Sequence, residues 1–504
     1  MTSCSTLDPH ICQQARLSRD ARFDGHFFTG VKTTGIFCRP VCSAVPPKEE
    51  NVAYYQSAAA AISAGFRPCL RCRPETAPRS AAWLGIEAIA GKILAQIEQG
   101  YLVDHSVPQL AERNGISERY VRKLCQRYAG ASPSQIELAR KSLLAKQLVF
   151  DSNLTMAEIA YSAGYNSVRR FNEHWLQQFK SSPSHMRSKN SSVCENRELD
   201  SSWVRLRIPV VKGFDAESIF LFFTTRIIKG SELSLKHEYR RVLEIDQQWI
   251  LLAVSYDQKR ACLWVDFKPV AENLADHNNS ALKLIPRIFS LVKQVFDVEA
   301  NSQTILSHLK NSPEFYQQLE DREQNGLKDI RLPAAFDPFE AAMRAIIGQQ
   351  VSVKAACTLL TRLSERCGKH IASNSWGLMR GLPDAQGIVD HDLSGLGLTG
   401  ARIDSLKAMA QLRIDQPEVF TLNYDADKRR ETLLAMKGIG PWTVSYLEMR
   451  AFSNPDAFPA GDLGIRIALE KEGIRPTEKY VRELAKPWAP WRAYATVLLW
   501  QRLS

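Results

Sequence analysis

Four of the six cysteines within the first 72 residues limit what this chain can fold into more than any other feature. Cys38 and Cys42 are spaced C-x3-C in Phe37-Cys38-Arg39-Pro40-Val41-Cys42. Cys69 and Cys72 follow as C-x2-C in Phe66-Arg67-Pro68-Cys69-Leu70-Arg71-Cys72. The segment between them reads largely as helix, from Ser57 to Ala64. Paired knuckles of this kind let four thiolates reach one tetrahedral Zn²⁺. So small a segment needs such a staple to close its core. The chain has eleven cysteines, an odd number. Its start, Met1 to Arg16, is polar and lacks the apolar stretch of a secretory leader. A cytoplasmic, reduced protein without a disulfide framework is expected. Four thiolates on Zn²⁺ carry a formal charge of about −2, and a bound thiolate stays nucleophilic. Arg39, Arg67, Arg71 and Arg73 lie beside the knuckles, where they can bring a DNA phosphate to sulfur. A sulfur that accepts a methyl group becomes a thioether, which removes one negative charge and weakens repulsion from DNA. The competing reading is a metal that only holds the fold.

Charge distribution points the same way. Residues 1–189 carry 24 Lys and Arg against 15 Asp and Glu, a net of +9. The remainder carries 41 against 39, a net of +2. A basic first third attracts a polyanion. The 504 residues suffice for roughly three or four domains. No apolar run approaches a membrane span, so no membrane partner is expected.

Several runs around the knuckles resemble the N-terminal domain of the Ada family: Phe23-Asp24-Gly25, Val31-Lys32-Thr33-Thr34-Gly35-Ile36-Phe37-Cys38-Arg39-Pro40, Glu50-Asn51-Val52 and Ala64-Gly65-Phe66-Arg67-Pro68-Cys69. The resemblance implies that Cys38 takes a methyl group irreversibly, once per molecule, from a DNA methyl phosphotriester. It implies that Cys42, Cys69 and Cys72 complete the zinc site, and that Thr34, Arg67 and Arg71 face DNA. The stretch Ser43-Ala44-Val45-Pro46-Pro47-Lys48 departs from the family by lacking an arginine after the second cysteine.

Val107 to Leu124 reads as helix, turn at Gly115, helix, with Ser117 as cap. Arg119, Arg122 and Lys123 fall on the polar side of the second helix, within reach of bases or phosphates. A long helix follows from Pro133 to about Phe150. A second copy runs from Thr155 to Trp175, with Arg169 and Arg170 opening its second helix. Either unit alone is also compatible with a plain bundle. Together they suit successive turns of a major groove. The end, Phe179-Lys180-Ser181-Ser182-Pro183-Ser184-His185-Met186-Arg187, resembles the AraC family, which implies that Ser117–Tyr128 and Ser167–Phe179 enter the groove. Ada proteins join their zinc domain to this module. Promoter DNA and RNA polymerase are the partners so implied, with promoter binding strengthened by methylation of Cys38 in a nucleoid-associated monomer. The Pro-Cys-His-Arg signature that normally closes Ada proteins is missing from the sequence.

The last segment carries the second chemistry. From Trp203 to Phe267, β-branched and aromatic residues alternate, as in Ser218–Thr224 and Ala261–Phe267. An antiparallel sheet with a helix or two is expected. From about Ala281 onward, apolar spacing of three and four predicts helices, including a helix, break and helix over Phe339–Ala356. In Met436-Lys437-Gly438-Ile439-Gly440-Pro441-Trp442-Thr443, glycines permit a tight turn and Pro suits the first helical position. The result is a hairpin between helices whose free N–H groups suit a phosphate. A plain helix end is the alternative reading of Gly-x-Gly. Phe458 to Ile465 then sets Asp462 at the start of another helix.

These runs resemble the helix-hairpin-helix DNA glycosylases, chiefly the 3-methyladenine DNA glycosylase II family, over residues 203–503. The resemblance places Trp442, Tyr446 and Trp500 in a pocket for the extruded base and Asp462 as the catalytic acid. It makes Gln350 the wedge that fills the vacated stack. It gives Gly438, Ile439 and Gly440 the DNA backbone, with a monovalent cation at that turn. An alkylated purine is cationic, so electron-rich rings attract it. A carboxylate stabilises the positive sugar that develops as the base leaves, and orients water. Bifunctional relatives carry a lysine where this chain has Trp442, which implies hydrolysis without strand cleavage.

The fold class expected is multidomain α+β. A small zinc-bound α/β domain spans 1–79 and an all-α double helix-turn-helix domain spans 81–188. A linker at 189–202 leads to an α+β sheet domain at 203–285 and a helical helix-hairpin-helix domain at 286–504. The function implied is a response to alkylation damage that combines methyl acceptance, activation of repair genes and excision of bases such as 3-methyladenine from double-stranded DNA. Two alternatives stand beside it: a regulator with an inactive glycosylase-like domain, and a scaffold with a purely structural zinc. Intact Asp462, Trp442 and Trp500 speak against the first, and labelled methyl transfer discriminates the second.

Overall fold

The computed structural model describes residues 8–20, 23–77, 88–188, 203–270, 277–371, 374–422 and 424–503. The expected linker at 189–202 lies outside them. Two compact units form: Met1–Arg207 with Asn278–Ser290 and Glu299–Asn301, and Ile208–His277 with Leu291–Val298 and Ser302–Ser504. Among the described residues no helix is long and apolar enough to cross a membrane.

The first unit begins with a four-stranded sheet in the order Val52–Tyr55, Phe28–Val31, Ile36–Cys38, Arg67–Pro68. The first three strands are antiparallel and the last is parallel to its neighbour. Phe28 and Phe37 pack on the Ala58–Ser63 helix, whose cap is Ser57. Leu143, more than sixty residues later, completes that small core. Two helix-turn-helix pairs follow, Val107–Arg113 with Glu118–Ala129 and Met156–Ser162 with Val168–Phe179. Ser106 and Thr155 close capping boxes at their first helices, satisfying N–H groups that a helix start leaves free. Between them runs Pro133–Asp151, itself started by a capping box at Ser132. This helix packs against the Ala58–Ser63 helix of the zinc domain and against helices of both helix-turn-helix pairs. It is therefore buried on several faces rather than along one stripe.

A five-stranded sheet follows, in the order Val204–Pro209, Cys262–Pro269, Gln248–Asp257, Glu238–Ile245, Glu232–Leu235, and its last four strands belong to the second unit. The last four strands are antiparallel. Ala261–Phe267 falls largely in one of them, as expected, but Ser218–Thr224 does not. That run lies in the helix Ala216–Thr224. Its phenylalanines and isoleucine favour a strand by propensity, yet Asp215 caps Ser218 N–H and burial falls at Ala216, Ile219, Phe220 and Phe223. Spacing of three, one and three is helical, and the cap together with that spacing overrides β propensity. Downstream, the helices Pro338–Ile347, Val353–Cys367, Gly400–Asp415, Ala426–Leu434 and Pro441–Arg450 share one core, which includes Phe339, Ile346, Leu360, Leu406, Leu433 and Val444. The multidomain α+β expectation holds.

Candidate functional site

Asp462 is the meeting point of three donors. It is the N-cap of the helix Leu463–Ala468, and its Oδ1 accepts from Ile465 N–H at 3.0 Å. Trp500 Nε1 donates to the same oxygen at 2.9 Å, and Trp442 Nε1 donates to Oδ2 at 2.9 Å. Each indole comes from a different helix, Pro441–Arg450 or Arg492–Gln501. Gly464 leaves room for this convergence, since a Cβ there would lie 3.1 Å from both Asp462 Oδ1 and the Trp500 ring. Tyr446, one turn after Trp442, stacks on it at 5.3 Å between centroids and 21° between planes. The structure thus brings Asp462, Trp442, Tyr446 and Trp500 together, all of them half-buried.

Three further residues join them that the sequence reading missed. Phe222 contacts two guanidiniums through its ring, Arg226 at 4.2 Å and Arg450 at 4.4 Å. Arg450 also lies 5.3 Å from the Trp500 ring. Burial pushes both arginines below their ordinary range, interaction with the Tyr446 hydroxyl opposes it, and repulsion adds to it, from Arg344 on Arg226 and from Arg226 on Arg450. Arg450 is brought down to about 10. Arg226 folds back on the end of the helix Ala216–Thr224, donating to Phe222 O at 3.2 Å and Thr225 Oγ1 at 2.9 Å. The signal available was the helical spacing of Ser218–Thr224. Read as a strand, that run gave no reason to bring Phe222 and Arg226 to one place.

The hairpin stands beside this cluster. Gly438 has φ +84°, and a Cβ on it would collide with Ser405 Oγ, so it requires glycine twice over. Gly440 is different: it caps Pro441–Arg450 at φ −99°, a conformation open to any residue, and nothing crowds it. No side chain caps this helix start, so its first N–H groups remain available to an anion. Ile439 is 4% exposed and anchors the turn in the core. Lys437 O accepts from Ser405 and Gly438 O from Gln349. Gln350 is exposed, at φ +57°, between the helices Pro338–Ile347 and Val353–Cys367.

In the first unit, one sulfur each from Cys38, Cys42, Cys69 and Cys72 lie within 4.8 Å of one another. Four thiolates so close repel, and a divalent cation with four soft ligands resolves that repulsion, so the donor set fits tetrahedral Zn²⁺. Arg39 N–H donates to Cys72 Sγ at 3.3 Å. Of the four arginines expected beside the knuckles, two are committed elsewhere. Arg39 pairs with buried Asp24, and Arg73 pairs with Glu75 and Asp151. Carboxylates on the same side of the fold claim those guanidiniums, which the sequence spacing did not reveal. Arg71 and Thr34 are exposed and Arg67 is half-buried. On the helix-turn-helix pairs, Arg119, Arg122, Arg169 and Arg170 are all exposed at the starts of the second helices. Arg122 and Arg169 lean on Glu118 and Glu173 one turn away.

Four family models match the chain in order. They are the metal binding domain of Ada over residues 11–75, a helix-turn-helix domain over 110–189, the AlkA N-terminal domain over 205–337, and the HhH-GPD superfamily base excision DNA repair protein over 343–490. Over 497 residues the chain is 31% identical to the probable bifunctional transcriptional activator/DNA repair enzyme AlkA of Mycobacterium tuberculosis, covering 98% of this chain and 96% of that one. The chain belongs to the bifunctional AlkA family. Escherichia coli DNA-3-methyladenine glycosylase 2 is 25% identical over 55% of this chain and 90% of its own length. The bifunctional transcriptional activator/DNA repair enzyme Ada of Escherichia coli is 55% identical over 64 residues, 13% of this chain and 18% of that protein. This member of the AlkA family therefore carries an Ada-type zinc-binding domain, a helix-turn-helix domain and a helix-hairpin-helix domain on one polypeptide.

Proposed function

We propose that this protein repairs alkylated DNA at two sites and activates transcription through a third. The observation that carries the excision reading is the convergence of two indole N–H groups on the Asp462 carboxylate. An extruded purine made cationic by alkylation is attracted to the faces of Trp442, Tyr446 and Trp500. The C1′–N bond breaks, its electron pair goes to the base, and the base leaves neutral. Asp462 stabilises the positive charge left on deoxyribose, and water then adds at C1′ and loses a proton. Position 442 holds an indole rather than an amine, which supports hydrolysis alone, without a Schiff base. Gln350 fills the vacated stack, while the turn at Gly438, Ile439 and Gly440 holds the backbone, with a monovalent cation if one binds there. 3-Methyladenine is the substrate proposed.

At the cysteine cluster, Cys38 sulfur forms a bond to the methyl carbon of a methyl phosphotriester. The methyl C–O bond breaks and its electron pair stays on the phosphate oxygen, which becomes an ordinary phosphodiester. Bound Zn²⁺ keeps the cysteine sulfurs deprotonated near neutral pH. Thr34, Arg67 and Arg71 face the DNA. The thioether at Cys38 lowers the negative charge of the site and strengthens binding of promoter DNA by the two helix-turn-helix pairs, through Arg119, Arg122, Arg169 and Arg170. The protein works in the cytoplasm as a monomer on double-stranded DNA, with RNA polymerase as its partner.

One incubation with DNA treated with a radiolabelled methylating agent tests both sites. Asp462→Asn is expected to slow release of free methylated purine by about 100-fold or more while methyl uptake continues. Cys38→Ala is expected to do the reverse. Release of base by the first variant at the wild-type rate, or uptake of label by the second, refutes the corresponding role.

A further inference from the structure

The loop that carries Gln350 is bonded to the hairpin rather than standing alone. Gln349 Nε2 donates to Gly438 O at 3.0 Å and to Thr443 Oγ1 at 3.2 Å. Gly438 is the positive-φ residue of the turn, and Thr443 lies directly after Trp442 in the pocket helix. From the other side, Arg402 donates to the Gln349 carbonyl. Arg402 sits on Gly400–Asp415, the helix whose Ser405 bonds the Lys437 carbonyl at 3.1 Å. One helix thus grips both the wedge loop and the hairpin, and Gln349 joins the two directly. Gln350 follows immediately, exposed and in the left-handed region that a non-glycine residue occupies only when its surroundings impose it.

From this geometry we infer that Gln349 and Arg402 form a latch that fixes the wedge residue relative to the DNA-backbone clamp. Gln349 is a positioning residue. It touches neither the base nor the reacting atoms and acts through Gln350. Gripping a phosphate at the hairpin then places the wedge at the stack beside it, so that backbone capture and base extrusion proceed as one step. The inference rests on the proposed excision reading and on Gln350 as wedge, and adds to them the element that couples wedge and clamp.

The experiment uses the full chain and a duplex holding one 7-methylguanine. Gln349→Met keeps the length of the side chain and removes both donors. Its single-turnover excision is expected to fall about tenfold, as misplacement of a reacting group commonly does. Binding to an undamaged duplex, which needs the clamp and not the wedge, is expected to change less than about twofold. The deciding measurement is the double-mutant cycle. In a Gln350→Ala background, Gln349→Met should add less than about twofold, because the residue it positions is gone. A merely structural role predicts losses that multiply in that background, and such a result overturns the latch, as does an unchanged rate for Gln349→Met alone. Should Gln349→Met fold poorly, Arg402→Met removes the other half of the grip and is read by the same cycle. A wild-type rate for Gln350→Ala alone refutes the wedge and the latch with it, whereas no excision by the wild-type chain refutes the glycosylase reading itself.

Discussion

Two indole nitrogens that share one carboxylate set a specific expectation for single residues. Each bond is to a charged acceptor, a class that contributes about 1.5–3 kcal/mol. Trp500→Phe keeps an aromatic face but loses the donor to Asp462 Oδ1 together with part of the ring surface. Excision is expected to slow about tenfold, with little change in affinity for an undamaged duplex. Trp442→Phe should behave alike through Oδ2. If either variant matches the wild-type rate in single-turnover release of 7-methylguanine, the orientation of Asp462 does not depend on that indole. A second acid governs stability instead. Burial pushes Asp297 up to about 7 from an ordinary 3.8, despite Arg331 beside it and hydrogen bonds from Leu332 N–H and Tyr494 OH. Between those two values the folded chain holds a proton that the unfolded chain has released. Stability of the second unit is therefore expected to fall as pH rises from about 4 to about 7, and to level off above, by at most about 4 kcal/mol. Asp297→Asn should remove that slope from urea melts followed across this range, and an unchanged slope assigns it to another group.

At the scale of elements, what the sequence disclosed depended on whether the constraint was local. The hairpin was legible because Gly438 needs a positive φ and Pro441 starts a helix, both of which are properties of single residues. The first helix-turn-helix pair was legible from its Ser117 cap and its turn at Gly115, and the second from its likeness to the first. The helix Ala216–Thr224 was misread because its side chains favour a strand, while its cap and its burial spacing decide otherwise. That error hid Phe222 and Arg226, whose partner Arg450 lies more than two hundred residues away. Gln349 was overlooked for the same reason, since its bonds to Gly438 and Thr443 carry no local trace. Gly438 provides the test at this scale. Gly438→Ala meets two penalties, a left-handed backbone costing roughly 1–2 kcal/mol and a collision with Ser405 Oγ. Affinity for duplex DNA is expected to drop several-fold. Adding Ser405→Ala should recover part of the loss, since it removes the collision and leaves the backbone cost. Full recovery would show that φ is not the constraint, and no recovery would show that Ser405 is not the obstacle.

Across the whole molecule, zinc is expected to matter to one unit and not to the other. In the first, the zinc domain and the long helix Pro133–Asp151 share a core through Leu143 and a buried ionic contact through Lys146. The Lys146 ammonium donates to Glu75 Oε2 at 2.6 Å and to the carbonyl of Cys69, a residue of the sulfur cluster, at 3.1 Å. Burial alone would raise the Glu75 carboxyl, but Lys146 and Arg73 hold it below its usual range. Removing one partner of such a buried pair costs about 3–5 kcal/mol, because the other charge is left stranded. Small zinc domains unfold when their metal is withdrawn. Loss of zinc here therefore strips partners from the helix that both helix-turn-helix pairs pack against. Calorimetry of the full chain should show the transition that contains the helix-turn-helix pairs moving down by several degrees after chelation. Methyl uptake and promoter binding should be lost together. The second unit draws none of its pocket residues from the cluster, so release of methylated purine by the chelated protein should stay within about twofold of the untreated rate, a change below about 0.4 kcal/mol. A helix-turn-helix transition that ignores the chelator would mean that Lys146 and Leu143 do not bind the two domains into one cooperative body. A parallel loss of excision would mean that the metal supports Asp462 as well.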